Sequence, residues 1–502
     1  LNKGSDFSDS GSVDVTNSGS ISTKGIDSPA LLLQSIAGGG GRADQYYGNV
    51  QLGLTGRGDE LSATSGLVKL VNTGKSIYTE GNSSPGIAAQ SIGGGGGFIG
   101  ENRFSGKPPA SWKGHMGTGI QKWNQKGSVV ADTYGDKDDA GNIEVTNQAS
   151  ITTKGKISPA LVAQSIGGGG GYAGSMNASI ISLGANGFVS SNSGDVEVNN
   201  SGDISTTGQA SGGILAQSIA GGGGFMSART IDEMYLGSLY TANSTSGNVT
   251  VTNSGNISTT GRGSIALLAQ SVGGGGGVNA FSKLDADLLT STAGSYRLFL
   301  SGHKAFNSGS ENITVKNTGD FITTTGRGAP GLLVQSVGGG GGWADLQSAS
   351  NSNLRLGSQG GSIGFGGDID INNTANIATT GNYSQAIRVQ TVGGGGGAVS
   401  VTANSVRMGA KDMDGNSSGG DITFRNSGNI STTGDGSTGI NIMSLGGGGG
   451  TIFGTSTNLA DLGVNAPDLT INASGGDITV ENTGSFITTT GKAATALTAV
   501  SG

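Results

Sequence analysis

The chain has 502 residues with 101 glycines, 7 prolines and no cysteine, only 12% of its residues are charged, and its net charge is −7. The missing cysteine excludes disulfides and cysteine nucleophiles, and suits an exported chain. A negative balance without a basic block argues against a nucleic-acid partner. No run of about 20 apolar residues predicts a membrane-spanning helix. Leu, Ile and Val recur in short blocks, which is not typical of disorder.

One pattern repeats along the whole chain. A stretch such as GNVTVTN or GDITVEN ends in asparagine, and SGNISTTG, a variable pair and a block such as LLAQSVGGGGG follow. The recurring asparagines are Asn17, Asn72, Asn147, Asn200, Asn253, Asn317, Asn373, Asn426 and Asn482. Internal repeats of this length indicate a solenoid or a related array.

The repeat has a constant half and a variable half. The distance from the asparagine to the last glycine of its run, as from Asn253 to Gly277, is nearly the same in every copy. Successive asparagines are unevenly spaced, since Asn72 and Asn147 are much farther apart than Asn147 and Asn200. The glycine runs end at positions 41, 97, 171, 224, 277, 342, 397 and 450. The ninth copy stops within its motif, at 496–502. We therefore expect residues 1–502 to form one continuous solenoid piece of a longer array.

Within each copy the apolar residues have a spacing of two. In GNVTVTNSGNIST, Val249, Val251 and Ile257 alternate with small polar residues, which predicts short strands with one buried face. Glycine and asparagine between the blocks predict corners. The fold class is accordingly predicted as all-β, a parallel β-helix in which equivalent strands of successive coils stack. The recurring asparagines would then form a structural ladder at one corner.

A copy of about 53 residues is longer than the roughly 20 to 30 residues expected for one coil. The variable half also carries a weaker strand signal, as in ISLG (181–184), MYLG (234–237) and LRLG (354–357). We therefore expect about two coils per repeat. Nine repeats would then build a rod on the order of 80 Å long.

The glycine runs lie at a fixed distance from the asparagine, so they should form a column. Three interpretations are open: a cramped place where backbone packs on backbone, a flat outward face for another chain, or mobile turns. The second predicts an association column through which copies of the chain assemble. Its members are Gly95, Gly169, Gly222, Gly275, Gly340, Gly395 and Gly448.

The text NSGNISTTGRGSIALLAQSVGGGGG (253–277) and its copies resemble the passenger regions of bacterial autotransporter proteins, and the resemblance covers essentially the whole chain. It implies a right-handed β-helix outside the cell, at the bacterial cell surface, in adhesion, aggregation or a surface coat. It also implies contact with the outer membrane only through a barrel domain outside these residues. The expected partners are identical chains, in an oligomer, filament or sheet, and a surface glycan or host protein.

An enzyme is not expected. His115 and His303 are the only histidines, neither has a repeated acidic companion, and no acidic pair stands out for glycoside cleavage. The matches to G-x-S-x-G, such as GGSIG (360–364), follow from the glycine bias. The acidic segments 132–142 and 411–421 lack the spacing of a calcium loop, so solvated turns are favoured there. No metal or cofactor is predicted.

The longest insertion, residues 98–140, is the candidate binding region. It contains Trp112, Lys113 and Trp123, and exposed tryptophan beside lysine can stack on a sugar or anchor a protein. A satellite core on the side of the rod is the structural alternative. The leading functional hypothesis is a structural cell-surface protein for adhesion, self-association or coat formation. The second is a passenger that binds or cleaves glycans through this insertion.

Overall fold

The computed structural model describes residues 9–44, 50–53, 62–101, 113–116, 137–184, 188–238, 240–283, 296–300, 304–347, 352–357, 363–409, 416–462 and 473–502. Over these residues the chain forms six sheets of parallel strands, and no described residue lies in a helix. The prediction of an all-β parallel solenoid is confirmed.

Three nine-stranded sheets come from the constant half of the repeat. Sheet 1 ends at the recurring asparagines and contains β1 (Val13–Asn17), β6 (Val68–Asn72), β11 (Ile143–Asn147), β16 (Val196–Asn200), β21 (Val249–Asn253), β28 (Ile313–Asn317), β34 (Ile369–Asn373), β39 (Ile422–Asn426) and β44 (Ile478–Asn482). Sheet 2 contains β2 (Ile21–Thr23), β7 (Ser76–Thr79), β12 (Ser150–Thr153), β17 (Ile204–Thr206), β22 (Ile257–Thr259), β29 (Phe321–Thr324), β35 (Asn376–Thr379), β40 (Ile430–Thr432) and β45 (Ile487–Thr489). Sheet 3 contains β3 (Leu31–Ile36), β8 (Ile87–Ile92), β13 (Leu161–Ile166), β18 (Ile214–Ile219), β23 (Leu267–Val272), β30 (Leu332–Val337), β36 (Ile387–Val392), β41 (Ile440–Leu445) and β46 (Leu497–Ser501).

The remaining sheets come from the glycine runs and the variable half. Sheet 4 contains β4 (Gly40–Ala43), β5 (Val50–Leu52), β9 (Gly96–Ile99), β10 (Lys113–Met116), β14 (Gly170–Leu183), β19 (Gly223–Leu236), β24 (Gly276–Lys283), β25 (Tyr296–Leu300), β31 (Gly341–Gln347), β32 (Ser352–Leu356), β37 (Gly396–Met408) and β42 (Gly449–Leu462). Sheet 5 contains β15 (Phe188–Val189), β20 (Tyr240–Ala242) and β26 (Lys304–Phe306). Sheet 6 contains β27 (Ser308–Gly309), β33 (Gly364–Phe365), β38 (Ser417–Ser418) and β43 (Ala473–Ser474).

Each repeat forms one coil, and the expectation of two coils per repeat is wrong. Strand β11 of the third repeat pairs with β6 of the second and β16 of the fourth, and sheets 2 and 3 follow the same order. The variable half does not make a coil of its own, because its strands join sheet 4, where β14 continues without a break from glycine run to ISL. Nine coils therefore rise about 40 Å, not 80 Å. The right-handed sense of the coil stays a prediction.

Sheet 3 is buried on both faces and separates two hydrophobic layers. Leu161 and Ala163 face sheets 1 and 2 across the main core. Val162, between them in the strand, packs instead with Tyr172 of sheet 4. All six residues of β13 are buried, as are those of its neighbours in the inner coils. Burial on both faces explains why this strand has a continuous apolar run where the others alternate.

Sheet 4 adds a further layer outside sheet 3. Ala173 and Leu183, from the two halves of β14, belong to one cluster on the side of the strand away from sheet 3. The register of β14 against β19 shifts between Ala173 and Ser175 and again between Ala178 and Ile180. Such irregularities bend a strand and change the direction of its side chains. The variable half thus covers the constant half.

Candidate functional site

The glycine runs form the corner at which the chain leaves sheet 3 and enters sheet 4. In the fifth coil, β23 ends at Val272 and β24 begins at Gly276. Gly275, Gly276 and Gly277 have φ values of 82°, 145° and 135°, and all of 273–277 is buried. Residues with a Cβ rarely adopt these conformations, so the backbone path itself requires glycine.

The stacking of coils gives a second reason for glycine. A Cβ on Gly276 would lie 1.9 Å from the carbonyl oxygen of Gly341 in the sixth coil, and one on Gly277 would lie 2.0 Å from that of Gly224 in the fourth. On the side of sheet 6, a Cβ on Gly273 would lie 2.3 Å from the carbonyl oxygen of Gly309. This run is therefore enclosed by the coils on both sides and by the return segment of the chain.

The interpretation of the glycine column as an outward association face is wrong. Gly95, Gly169, Gly222, Gly275, Gly340 and Gly395 are buried within the chain, and Gly448 is half-buried. A surface for another copy must be exposed, and these backbones are already in contact with neighbouring coils. The close approach of backbone to backbone, the first interpretation, is the arrangement found.

The recurring asparagines form a continuous ladder at the end of sheet 1. In each step the side-chain amide nitrogen of one asparagine donates to the side-chain oxygen of the next, over 2.6–2.8 Å. Asn253, for example, accepts a hydrogen bond from Asn200 and donates hydrogen bonds to Asn317 and to the carbonyl oxygen of Gly255. The seven inner asparagines are buried. Their amides serve stacking, so they are not free for a ligand.

A second ladder, which the sequence analysis did not identify, runs through the glutamine of the QS motif in sheet 3. Its members are Gln34, Gln90, Gln164, Gln217, Gln270, Gln335 and Gln390. The steps measure 2.7–2.8 Å at first and lengthen to 3.1 Å and 3.3 Å at the last two. Met443 takes the next place and ends the ladder. The fixed position of glutamine in the repeat was the available signal.

The predicted binding residues of the insertion lie largely outside the described residues. Trp112 and Trp123 are not among them. Lys113 begins β10, whose backbone pairs with β14 and β5 in sheet 4. Phe98, at the start of the insertion, is fully buried and stacks on Tyr172 with ring centroids 4.8 Å apart. Part of the insertion is thus integrated into the coil.

A shallow groove of about 400 Å³ lies on the outer face of sheet 1, across the fourth to sixth coils. Its lining consists mainly of carboxylate, amide and hydroxyl groups, with the buried Val196 at its base: Asp195, Val196, Glu197, Asn248, Thr250, Asn312 and Thr314. The Asp195 carboxylate accepts hydrogen bonds from the backbone and side-chain nitrogens of Asn248, at 2.7 Å and 3.1 Å. The groove therefore offers polar groups, some of which already bridge coils.

An ion cluster joins the buried Asp345 of sheet 4 to two partly exposed arginines in the turns between sheets 2 and 3. Arg262 donates to both oxygens of Asp345, at 3.0 Å and 3.3 Å, and Arg327 lies 3.8 Å away from the same carboxylate. Asp345 is fully buried. Burial raises the pKa of the Asp345 carboxyl above its ordinary value, although both arginines act in the opposite direction. Burial also lowers the pKa of Arg327.

The described residues include no group of three or more His, Asp or Glu side chains placed to hold a metal ion. Of the acidic segment 132–142, Asp139 accepts a hydrogen bond from the Asn192 backbone at 2.7 Å, while Asp132 and Asp136 lie outside the described residues. His303 also lies outside them, and His115 contributes its backbone to β10. Over the described part of the chain, no helix is long and apolar enough to cross a membrane.

Comparison of the chain with protein-family models, with curated proteins and with solved structures gave no match.

Proposed function

We propose that this chain is a structural protein of the bacterial cell surface, whose solenoid serves attachment or self-association. One observation carries the proposal: sheets 1 to 3 keep the same register through nine coils. Two amide ladders reinforce that register from inside. The constant half of every repeat is used for stacking. Such a chain is better suited to be a rigid spacer or scaffold than a catalyst. The sequence of the repeat, which resembles autotransporter passenger regions, supports the same role and an extracellular location.

Assembly of identical chains would use exposed side chains, since the glycine column is buried. The outer faces of sheets 1 and 2 offer regular rows at the stacking distance of about 4.8 Å. Thr314 projects from the outer face of sheet 1 and Thr323 from that of sheet 2. These faces are the candidate surfaces for contact between copies.

Electron microscopy and sedimentation of the purified chain test the proposal. Association predicts fibres or sheets whose amount rises with concentration. Thr314→Lys and Thr323→Lys are matched variants that add one charge to either face without changing the interior, and the face in contact should lose association selectively. The proposal fails if the chain sediments as a monomer at every concentration and its display on cells increases neither cell aggregation nor attachment.

Glycan binding is the second candidate, and the groove on sheet 1 favours it. Exposed Glu197, Asn312 and Thr314 provide the carboxylate, amide and hydroxyl groups that sugar hydroxyls bind. Binding to a glycan array, followed by Glu197→Gln and Trp112→Ala, would distinguish the groove from the insertion. If no glycan is retained by the chain, this candidate is rejected, while the structural role is unaffected.

A further inference from the structure

One arginine interrupts the apolar layer between sheets 3 and 4. In the first six coils, the strand position that faces sheet 4 carries Leu32, Ala88, Val162, Leu215, Leu268 and Leu333. In the seventh coil Arg388 takes this position, and it is fully buried. The eighth and ninth coils have the polar residues Asn441 and Thr498 at this position. A buried arginine directly after six aliphatic side chains needs a physical explanation, because buried charge is costly.

Among the residues that the structure describes, no carboxylate forms an ion pair with Arg388. One guanidinium nitrogen, Nη2, donates to Gln390 at 3.2 Å, and the guanidinium carbon lies 5.2 Å from the ring centre of Phe453. Among the described residues, Nε and Nη1 have no acceptor. The buried carboxylate of Asp345, in the preceding coil, is already bound by Arg262.

Two other buried groups, one on the strand of Arg388 and one beside Phe453, are also donors without an acceptor among the described residues. The side-chain amide nitrogen of Gln390, at the end of the glutamine ladder, has no described partner. The same holds for the indole nitrogen of Trp343, whose ring lies 6.3 Å from that of Phe453 and tilted by 45°. One acceptor is also unmatched, the side-chain oxygen of Asn441 on the adjoining strand. The other unmatched groups named here are donors, with one positive charge among them.

We propose that Arg388, together with Gln390 and Trp343, forms an internal binding site for a small monovalent anion, a halide such as chloride. One negative charge would balance the guanidinium and accept from several donors at once. Aromatic edges carry partial positive charge, so the rings of Phe453 and Trp343 are compatible with an anion beside them. Burial lowers the pKa of Arg388 to about 9, which leaves the side chain charged at neutral pH.

The available space explains the restriction to a compact anion. In the seventh coil, sheet 4 has Ala398 at the position where the third, fourth and sixth coils have the large rings of Tyr172, Phe225 and Trp343, and the eighth coil has Thr451. Alanine is smaller than these rings, and the Arg388 guanidinium lies beside the ring of Phe453 in this buried region. A monatomic ion needs less room there than a sulfate or a nucleotide phosphate.

Bromide provides the direct test, because it replaces chloride and scatters X-rays anomalously. Crystals of the whole chain grown or soaked in sodium bromide should show an anomalous peak beside the Arg388 guanidinium, between sheets 3 and 4. Crystals of the Arg388→Leu variant should lack this peak. An empty site in the unaltered chain would overturn the proposal, as would a peak that persists in the variant.

Stability measurements provide a second readout. At constant ionic strength, exchanging fluoride for bromide should raise the unfolding midpoint, and above the dissociation constant each tenfold rise in bromide should raise the folding equilibrium constant up to tenfold. Arg388→Leu, which restores the residue type of Leu333, should remove this dependence, whereas Arg407→Leu, which removes an exposed charge, should keep it. If the guanidinium is instead satisfied by the Asn441 amide in the next coil, the unaltered chain will show no halide dependence and the proposal fails.

Discussion

The two halves of the repeat differ in how regularly their strands pair between coils. In the constant half, all nine coils contribute one strand to each of sheets 1, 2 and 3, and the pairings proceed residue by residue without a shift. In the variable half, sheet 4 shows register shifts, for example between Asn279 and Ser282 and between Ala403 and Ser405. The segments between its strands also differ in length from coil to coil.

The difference follows from burial on two sides. A residue of sheet 3 has neighbours above, below and on both faces, so one inserted residue would move every following side chain to the wrong face. The outer half of sheet 4 has more freedom, because a longer segment can extend away from the coil. Length is therefore fixed where packing is complete and free where it is not.

The largest effect is expected in the constant half, from Gly276→Val. The new side chain would meet the Gly341 carbonyl and would require a φ of 145°. We expect a loss of about 4 kcal/mol or more in unfolding free energy, measured by chemical denaturation. Gly309→Ala is the control, since the nearest atom to its Cβ would be 3.9 Å away, and it should change stability by less than about 0.5 kcal/mol. Equal effects of the two changes would contradict the steric explanation. The same clash makes a glycine variant unsuitable for testing association.

Asn253→Leu should cost about 3 kcal/mol, because it leaves the Asn200 donor and the Asn317 acceptor unmatched in a buried place. The measurement is the denaturation midpoint, together with hydrogen exchange at the ends of β21 and β28. Asn199→Ala, at the neighbouring half-buried position, should be nearly neutral. A neutral Asn253→Leu would show that the ladder contributes little to stability.

Asp345 should make the outer layer sensitive to pH. Because burial raises its pKa in the folded chain, the folded state holds the proton more tightly than the unfolded state. This carboxyl's contribution to stability is then greatest below the unfolded pKa of about 4 and declines as the pH rises through the folded value. Unfolding midpoints across this range should fall less steeply in Asp345→Asn than in the unaltered chain. The exposed-site variant Asp320→Asn should not flatten the curve.

Met443→Gln should extend the glutamine ladder by one step and stabilise the chain by about 1 kcal/mol, because it gives the Gln390 amide nitrogen an acceptor. The opposite change, Gln217→Met, interrupts the ladder at its centre and should destabilise the chain by a larger amount. Thermal unfolding of the two variants checks the pair of expectations. A stabilising Gln217→Met would contradict the role assigned to the ladder.

The smallest effect is expected on the surface of sheet 1. Lys69 and Glu144 of adjacent coils lie 3.0 Å apart, but their side chains are 41% and 42% exposed. Solvent and salt screen such a pair, so Lys69→Met should leave the unfolding midpoint unchanged at low and high salt. A salt-dependent loss would show that surface charge also holds the coils in register.

Periodicity two and the recurrence of Asn253 and Ile257 were enough to predict parallel stacking, since both features are local and repeat at a fixed distance. The number of coils was not predictable in this way. The coil size expected for this class of fold assigned MYLG (234–237) to a separate coil, whereas β19 carries this segment in the same sheet as Gly223. Tertiary packing decides whether the variable half forms a coil of its own or covers the coil of its own repeat. The periodicity of the sequence contains no information on this choice.

The sequence also did not show whether the glycine runs face the interior of the chain or the solvent. A missing Cβ at Gly275 indicates that another backbone is close, but it does not say whether that backbone belongs to the same chain. The continuous apolar run of β23 was the available signal. A strand that is buried on both faces requires a covering layer, and the chain itself supplies this layer after the glycine run. Arg388 and the end of the glutamine ladder appear in the sequence only as departures from a repeat, and their burial is a property of the assembled coils.

Because one repeat equals one coil, each copy of the motif is also a complete unit of growth. A duplication of one copy in the coding sequence would add one rung whose upper and lower surfaces match those already present, and a deletion would remove one without leaving a gap. The length of the molecule can therefore change in evolution by whole steps of about 4.8 Å, while the surfaces between neighbouring rungs stay the same.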